Sequence, residues 1–253
     1  MMNTNYPRKF YISVILVTLL AGFLRFQTVT KLPIDYDELV YLPTAFRYQE
    51  LIAKKQWKAI ANLDENMEHP PLNKLIFAAD LQLRKPKEPD WEPLEVGRPI
   101  APTDQPAFFG PRSVSAVGGT LQVLFTSIIN PIGGLLLALN TYHTKYSAQV
   151  YLEGVPGLMA VLAVFLFEFA FPKSDSQNSI RWPMLILSAV TLGLAAAGKY
   201  LYGLVGFVLL AFLIVRTRSF RTSVLYCFAA LSIFLLADPF LWSNPPQKLW
   251  DSL

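Results

Sequence analysis

Apolar residues along this chain come in blocks rather than in alternation, and the blocks predict the elements. Residues 10–24 form the first, preceded by Arg8 and Lys9 and followed by Arg25-Phe26-Gln27. A basic start before an apolar run suits either a secretory leader or an uncleaved first span. No small-x-small cleavage site follows, so the pattern favours a span whose basic flank stays in the cytoplasm. What comes next is then external. Residues 35–57 carry Leu39, Phe46, Leu51 and Ile52 at mixed three- and four-residue spacings, and residues 71–83 repeat the theme with Leu72, Leu75, Ile76 and Ala79. Both predict amphipathic helices, neither able to span but both able to lie along a membrane surface with the apolar face down. Pro70-Pro71 suits the N-terminus of the second. Residues 85–111 hold Pro86, Pro89, Pro93, Pro99, Pro102, Pro106 and Pro111. They are predicted to be loop, because proline fixes φ and lacks the N–H donor.

Beyond Arg112 the chain is apolar again. Residues 114–129 predict a span and 132–142 a short one, split by Asn130-Pro131. Further spans are predicted over 151–171, 182–197, 201–215 and 222–237. Seven crossings with the N-terminus inside put Lys173, Arg181 and the Arg216, Arg218, Arg221 cluster in the cytoplasm, as the positive-inside rule asks. Reading 114–142 as one kinked helix would put those loops outside. The predicted architecture is an all-α integral membrane protein with about seven transmembrane helices and amphipathic juxtamembrane helices in a long first external loop. Residues 1–24 are the N-terminal tail and first transmembrane helix, 25–111 the external loop with its proline-rich segment, and 112–253 transmembrane helices two to seven. The 132–142 run is short for about 30 Å of hydrocarbon, which leaves a buried or partly re-entrant helix open.

Composition supports a membrane chain. Hydrophobic residues are 53% of the 253 and charged residues 16%, against about 25% charged in soluble domains. Disorder is excluded by the apolar content, and a disulfide scaffold by a single cysteine, Cys227. The net charge of +4 comes from residues scattered among apolar blocks, which argues against a nucleic-acid partner. With only His69 and His143 a multi-histidine metal site is excluded. No nucleophile elbow or glycine-rich nucleotide loop is present.

On this topology most polar residues of interest fall at or just below the external surface. They are Asp35, Asp37 and Glu38 after the first span, His69, Arg112, Lys145, Glu153, Lys199 and Asp238. Ionisable groups at such depth usually face a cavity or a partner, and together they predict an external pocket with one acidic and one basic wall. Each has a plainer alternative. Asp37 and Glu38 could be first-turn carboxylates, and His69 a turn residue. Arg112 and Lys199 could snorkel to headgroups, Glu153 could be a cap, and Asp238 a helix stop.

The motifs in combination carry a resemblance. Tyr36-Asp37-Glu38-Leu39-Val40-Tyr41 follows the first span, with Ala45 beyond; then come His69-Pro70-Pro71-Leu72-Asn73-Lys74-Leu75-Ile76, and Arg112-Ser113-Val114-Ser115-Ala116 leading into Gly118-Gly119. Ser147-Ala148-Gln149-Val150-Tyr151-Leu152-Glu153, Gly198-Lys199-Tyr200 and Asp238-Pro239-Phe240-Leu241-Trp242 follow. This resembles the C-type glycosyltransferases that use polyprenyl-phosphate sugars, the superfamily of protein O-mannosyltransferases and lipid A aminoarabinose transferases. Asn73 stands where glycine is usual, and Glu153 where aspartate is usual. The resemblance covers essentially the whole chain but only part of a typical member, which continues with further spans and often a soluble domain. The expectation is a fragment, a truncated product or one half of an enzyme completed by a second polypeptide.

What the resemblance implies is transfer of a sugar from a polyprenyl-phosphate carrier to an external lipid, glycan or protein acceptor. It implies a plasma membrane, taken as bacterial, with the N-terminus cytoplasmic and the active site outside. Asp37 is the expected base or acceptor-orienting carboxylate, and Glu38 is expected to assist it. Arg112 and Lys199 are expected to counter the departing phosphate, with His69, Tyr200 and Glu153 lining the substrate site. In some relatives a metal lies near the acidic wall, so a divalent cation is an expected candidate cofactor. The rival classes are a transporter component, which would carry ionisable groups at mid-membrane, and an inactive membrane scaffold.

Overall fold

The computed structural model describes residues 7–172 and 180–252, and among these every regular element is helical. Lys173, assigned to a polar loop above, lies outside the described residues. Helix α1 (Arg8–Lys31) runs on past Leu24, where the sequence suggested an end, and stops because Leu32 is driven into extended backbone ahead of Pro33. At 1.5 Å per residue it is about 36 Å long, enough for the hydrocarbon core, and Arg25 lies buried within it. The two amphipathic helices appear as α2 (Glu38–Ala53) and α4 (Leu72–Arg84), with the short α3 (Trp57–Ala61) between them. Tyr41, Leu42, Phe46, Phe77 and Leu81 of α2 and α4 bury into one core with Phe108.

The proline-rich loop ends earlier than the sequence suggested. Helix α5 (Gln105–Ile129) contains both Pro106 and Pro111. Pro106 sits in the first turn, where a missing N–H costs nothing, and Pro111 is tolerated a turn later inside a well-packed helix. The remaining loop is docked: Ile34 N–H donates to Arg98 O at 2.9 Å and Gly97 N–H to Ile34 O at 2.8 Å. Trp91, Leu94 and Ile100 pack on the α2–α4–α5 core.

The predicted 132–142 span is two short helices, α6 (Pro131–Leu139) and α7 (Thr141–Tyr146). Asn130 Oδ1 caps α6 by accepting from Ile132 N–H at 3.0 Å, and Asn140 Oδ1 caps α7 by accepting from His143 N–H at 2.8 Å. Nine residues of α6 reach about 14 Å and cannot cross alone. The chain nevertheless retraces α5. Ala138 packs with Val17, Ala21 and Val123; farther along, Gln149 Nε2 donates to Pro33 O at 3.0 Å.

Helices α8 (Gly154–Ala170), α9 (Trp182–Gly198), α10 (Val205–Thr217) and α11 (Phe220–Ala237) complete the bundle, and α12 (Pro245–Asp251) ends it. A 3-10 turn, Tyr200–Leu204, extends α10, and another, Pro239–Trp242, follows α11. The start of α8 lies on α5 so closely that a Cβ on Gly118 would fall 2.6 Å from Gly154 O. Small residues allow such contact where no hydrophobic force separates helix from lipid. Antiparallel to α8, α9 places Ser188 Oγ 2.7 Å from Ala163 O and Gly198 beside Pro156. Large apolar side chains on the outside of α1, α10 and α11, including Leu16, Phe207, Phe212 and Phe228, are exposed, as a lipid-facing surface requires.

Among the described residues three helical stretches are long and apolar enough to cross a membrane unaided: Arg8–Lys31, Tyr200–Thr217 and Phe220–Ala237. The predicted 114–129 span lies in the 25-residue α5, whereas the blocks at 132–142, 151–171 and 182–197 form shorter helices, so the seven predicted spans are not seven full-length apolar helices. The bundle has two distinct ends. One gathers Lys31, Asp35–Glu38, Arg112, Glu153, Lys199 and Asp238; the other gathers Arg8, Phe171, Arg181 and Arg216, whose Nη2 donates to Phe171 O at 3.4 Å.

Candidate active site

The first carboxylates after α1 have different fates, although they are neighbours in sequence. Glu38 is fully buried and grips Arg112 of α5 with both oxygens, Nε to Oε1 at 2.7 Å and Nη2 to Oε2 at 2.5 Å. Its oxygens also accept the backbone N–H groups of Val150 at 2.9 Å and Asp35 at 3.1 Å. The other donors of Arg112 go to Val29 O at 3.0 Å, Leu32 O at 2.9 Å and Pro33 O at 3.0 Å. All five guanidinium N–H groups are thus occupied. Arg112, expected on the donor phosphate, and Glu38, expected to assist the base, are tied to each other and have no group left for substrate. Their placement ties the end of α1, the start of α2, the middle of α5 and the segment before α8 into one knot.

Asp35 is also committed. Tyr151 O–H donates to Oδ1 at 2.5 Å, and Lys145 lies 2.6 Å from Oδ2. Burial pushes this carboxyl up, and the bonds from Lys145 and Tyr151 outweigh it, so Asp35 stays ionised below the usual carboxylate range. Asp37 stands apart. It is half-buried at the N-terminus of α2 and belongs to no ion pair within 4.0 Å among the described residues. Burial, and then repulsion from Asp35, raise its pKa above the ordinary value, against the pull of Lys199, a hydrogen bond with Tyr41, and Lys145.

Opposite lie the ends of α8 and α9. Lys199, in the turn after α9, bonds Glu153 at the start of α8. Burial raises the Glu153 carboxyl, and Lys199 only partly offsets this. Tyr200 O–H reaches toward Asp238 Oδ2 at 3.4 Å. Asp238 is fully buried, its Oδ1 has no hydrogen-bond partner, and burial pushes it up to about 6. His69 meets the ring of Tyr41 edge-on at 5.8 Å. Burial, Lys199 and Lys74 all lower its pKa, so it is neutral at pH 7. Its backbone carbonyl accepts from the buried Lys74 Nζ at 2.9 Å, which pins the turn leading into α4. Asn73, at the position where glycine is usual, is fully buried against Gly198 with both amide atoms unpartnered.

Of the residues singled out from sequence, Asp37, His69, Glu153, Lys199 and Tyr200 meet at one end of the bundle, while Glu38 and Arg112 are buried beneath it. Lys199 is close enough for its charge to act on Asp37 and on His69. Sequence reasoning missed Arg25. It is fully buried, donates from Nε to Ser147 Oγ at 2.9 Å, and meets His143 Nδ1 at 2.5 Å from Nη2. The other ring nitrogen of His143 lies 2.9 Å from Gln122 Oε1. The signal available was a lone arginine closing an apolar run, which reads as a flank until the helix is seen to continue.

A divalent cation was among the expected cofactors. Among the described residues no three His, Cys, Asp or Glu side chains are gathered as a metal would need. Asp35 is held by Lys145 and Tyr151 and Glu153 by Lys199, so the donor set as arranged does not fit one.

Together, fold and site define a class: an all-helical bundle with membrane-crossing helices and ionisable side chains drawn from distant segments to one end. No family model and no curated protein matches the chain. Among solved structures, it is similar to a chain of the S. cerevisiae protein O-mannosyltransferase Pmt1-Pmt2 complex bound to the sugar donor. The TM-score is 0.64 over 98% of this chain, at 19% identity. At that identity the likeness is one of fold. This chain covers 34% of the other, about a third of its length.

Proposed function

We propose that this chain is a membrane glycosyltransferase that moves a sugar from a polyprenyl-phosphate carrier to a hydroxyl-bearing acceptor on the non-cytoplasmic side. The observation that carries the reading is Asp37: a half-buried carboxylate with a raised pKa and no ion pair among the described residues, close enough to Lys199 to feel its charge, on the fold of a sugar-transferring enzyme. General bases work best with a pKa drawn toward the operating pH. In the proposed step the acceptor hydroxyl attacks the anomeric carbon as the bond from that carbon to the phosphate oxygen breaks. The proton passes to Asp37, and the departing phosphate anion is countered by Lys199, a compact point charge suited to that task. Tyr200 adjoins Lys199 in sequence, and His69, within reach of the Lys199 charge, acts in this reading as a neutral hydrogen-bonding group. In the same reading the chain crosses the membrane seven times, with α6, α7 and the segment to Val150 making one broken passage. Arg8, Arg181, Arg216, Arg218 and Arg221 then share the cytoplasmic end.

The test is transfer of radiolabelled sugar from a polyprenyl-phosphate donor, in native membranes and with the purified chain. Asp37→Asn should lower turnover by roughly 10²–10⁴-fold, the usual worth of a general base, without loss of membrane insertion. Turnover within threefold of the unsubstituted chain would remove Asp37 from the chemistry.

A further inference from the structure

The cations around the cleft differ in how fully they are committed. Arg112 has every donor occupied. Lys74 donates to Asn66 O, Asn66 Oδ1 and His69 O. Lys145 shares Asp35 with Tyr151. Lys199 has three donors, and its bond to Glu153 Oε1 is the one hydrogen bond its ammonium makes among the described residues. Glu153 in turn uses one oxygen; the other, Oε2, is buried and unpartnered. The side chains of Lys199 and Glu153 keep 20% and 26% of their exposure, so the pair reaches the surface rather than lying wholly beneath it.

Such a pair is open to exchange. The carrier's phosphate offers more acceptor oxygens than the single carboxylate oxygen now on Lys199, at the same charge in the sugar-linked diester and a higher one in the sugar-free monoester, and ammonium–phosphate bonds are among the strong charge-assisted ones. Burial and Asp37 already disfavour the charge of Glu153, and Lys199 is what offsets them, so a Glu153 displaced from Lys199 takes up a proton and leaves as the neutral acid rather than as a stranded anion. Arg112 offers no such opening, because removing Glu38 would strand a buried charge with no access to the cleft.

We propose that Glu153 occupies the donor-phosphate position on Lys199 in the resting protein, and that the carrier's phosphate displaces it, so that Glu153 sets the affinity for the anionic carrier. This rests on the reading of the chain as a polyprenyl-phosphate-dependent transferase. It also separates two roles that the sequence joined: Lys199 meets the substrate, while Glu153 competes with it.

The test measures binding of a sugar-free polyprenyl phosphate to the full chain in nanodiscs. Glu153→Gln, which keeps the shape and removes the charge, should bind about tenfold tighter, near the low end of the coupling between close charges. Glu153→Asp, whose shorter arm holds Lys199 less well, should fall between the two. Lys199→Met should bind more weakly, and adding Glu153→Gln to it should bring no gain. A Glu153→Gln chain that binds no tighter, while the unsubstituted chain still transfers sugar, overturns the exchange and leaves the transferase reading standing. A gain that persists in the Lys199→Met background also overturns it, since the phosphate would then sit elsewhere. Absence of both carrier binding and transfer in every variant overturns both.

Discussion

Arg112→Met separates a structural guanidinium from a substrate-binding one. The substitution keeps an apolar stem of similar length in α5 and removes five donors. Glu38 is left fully buried with its charge unpaired, holding only the N–H groups of Val150 and Asp35. Removing one partner of a buried ion pair costs about 3–5 kcal/mol. The carbonyls of Val29 and Leu32 lose the Arg112 donor as well, each worth about 1 kcal/mol where no water replaces it, while Pro33 O keeps its bond from Gln149. Against a total stability of about 5–15 kcal/mol, that is most of the margin. Unfolding in detergent, followed by tryptophan fluorescence against heat or denaturant, should show the loss. Adding Glu38→Gln should recover part of it, because the stranded charge is then gone, with a coupling of about 2 kcal/mol. The reasoning fails if Arg112→Met unfolds within about 1 kcal/mol of the unsubstituted chain while carrier-lipid affinity drops. Arg112 would then belong to the phosphate after all.

Two further outcomes follow from the same geometry. Asp238 has a folded pKa raised to about 6, so between pH 6 and about 4 the folded state binds a proton that the unfolded state does not, and stability rises as pH falls through that window. The gain, on the order of 1–3 kcal/mol, should vanish in Asp238→Asn, read from melting temperature against pH. For topology, a cysteine at Tyr36, which is exposed beside Asp37, should react with an impermeant maleimide added outside intact cells, whereas one at Arg218 should react after permeabilisation; the reverse pattern would invert the proposed orientation.

Much of the bundle could be read from apolar blocks, and the departures have physical causes. The end of α1 was misplaced because Arg25 and Gln27 look like a polar boundary, yet nothing in 25–31 stops a helix until Pro33 constrains Leu32. The start of α5 was hidden by Pro106 and Pro111: proline count suggests loop, while proline position in a first turn is compatible with helix. The break between α6 and α7 depends on two asparagine caps, and only Asn130-Pro131 stood out, because Asn140 gains meaning from the N–H of His143 folding back onto it.

The site was legible as a set of residue types but not as a division of labour. A sequence can show that Asp37 and Glu38 adjoin, but not that one turns to the cleft and the other to a guanidinium 74 positions away. That division follows from packing. The segment 147–153 between α7 and α8 has no regular structure of its own, yet it carries Tyr151 and Glu153 into the site. Two buried arginines hold it: Arg25 through Ser147 and His143, and Arg112 through Glu38 to the N–H of Val150. In a bundle whose surroundings offer no water to buried backbone, such a segment persists only where charged donors and acceptors from rigid helices replace the missing ladder. The two arginines thereby place Glu153 opposite Lys199, so the cleft's charge pattern depends on side chains that never face it.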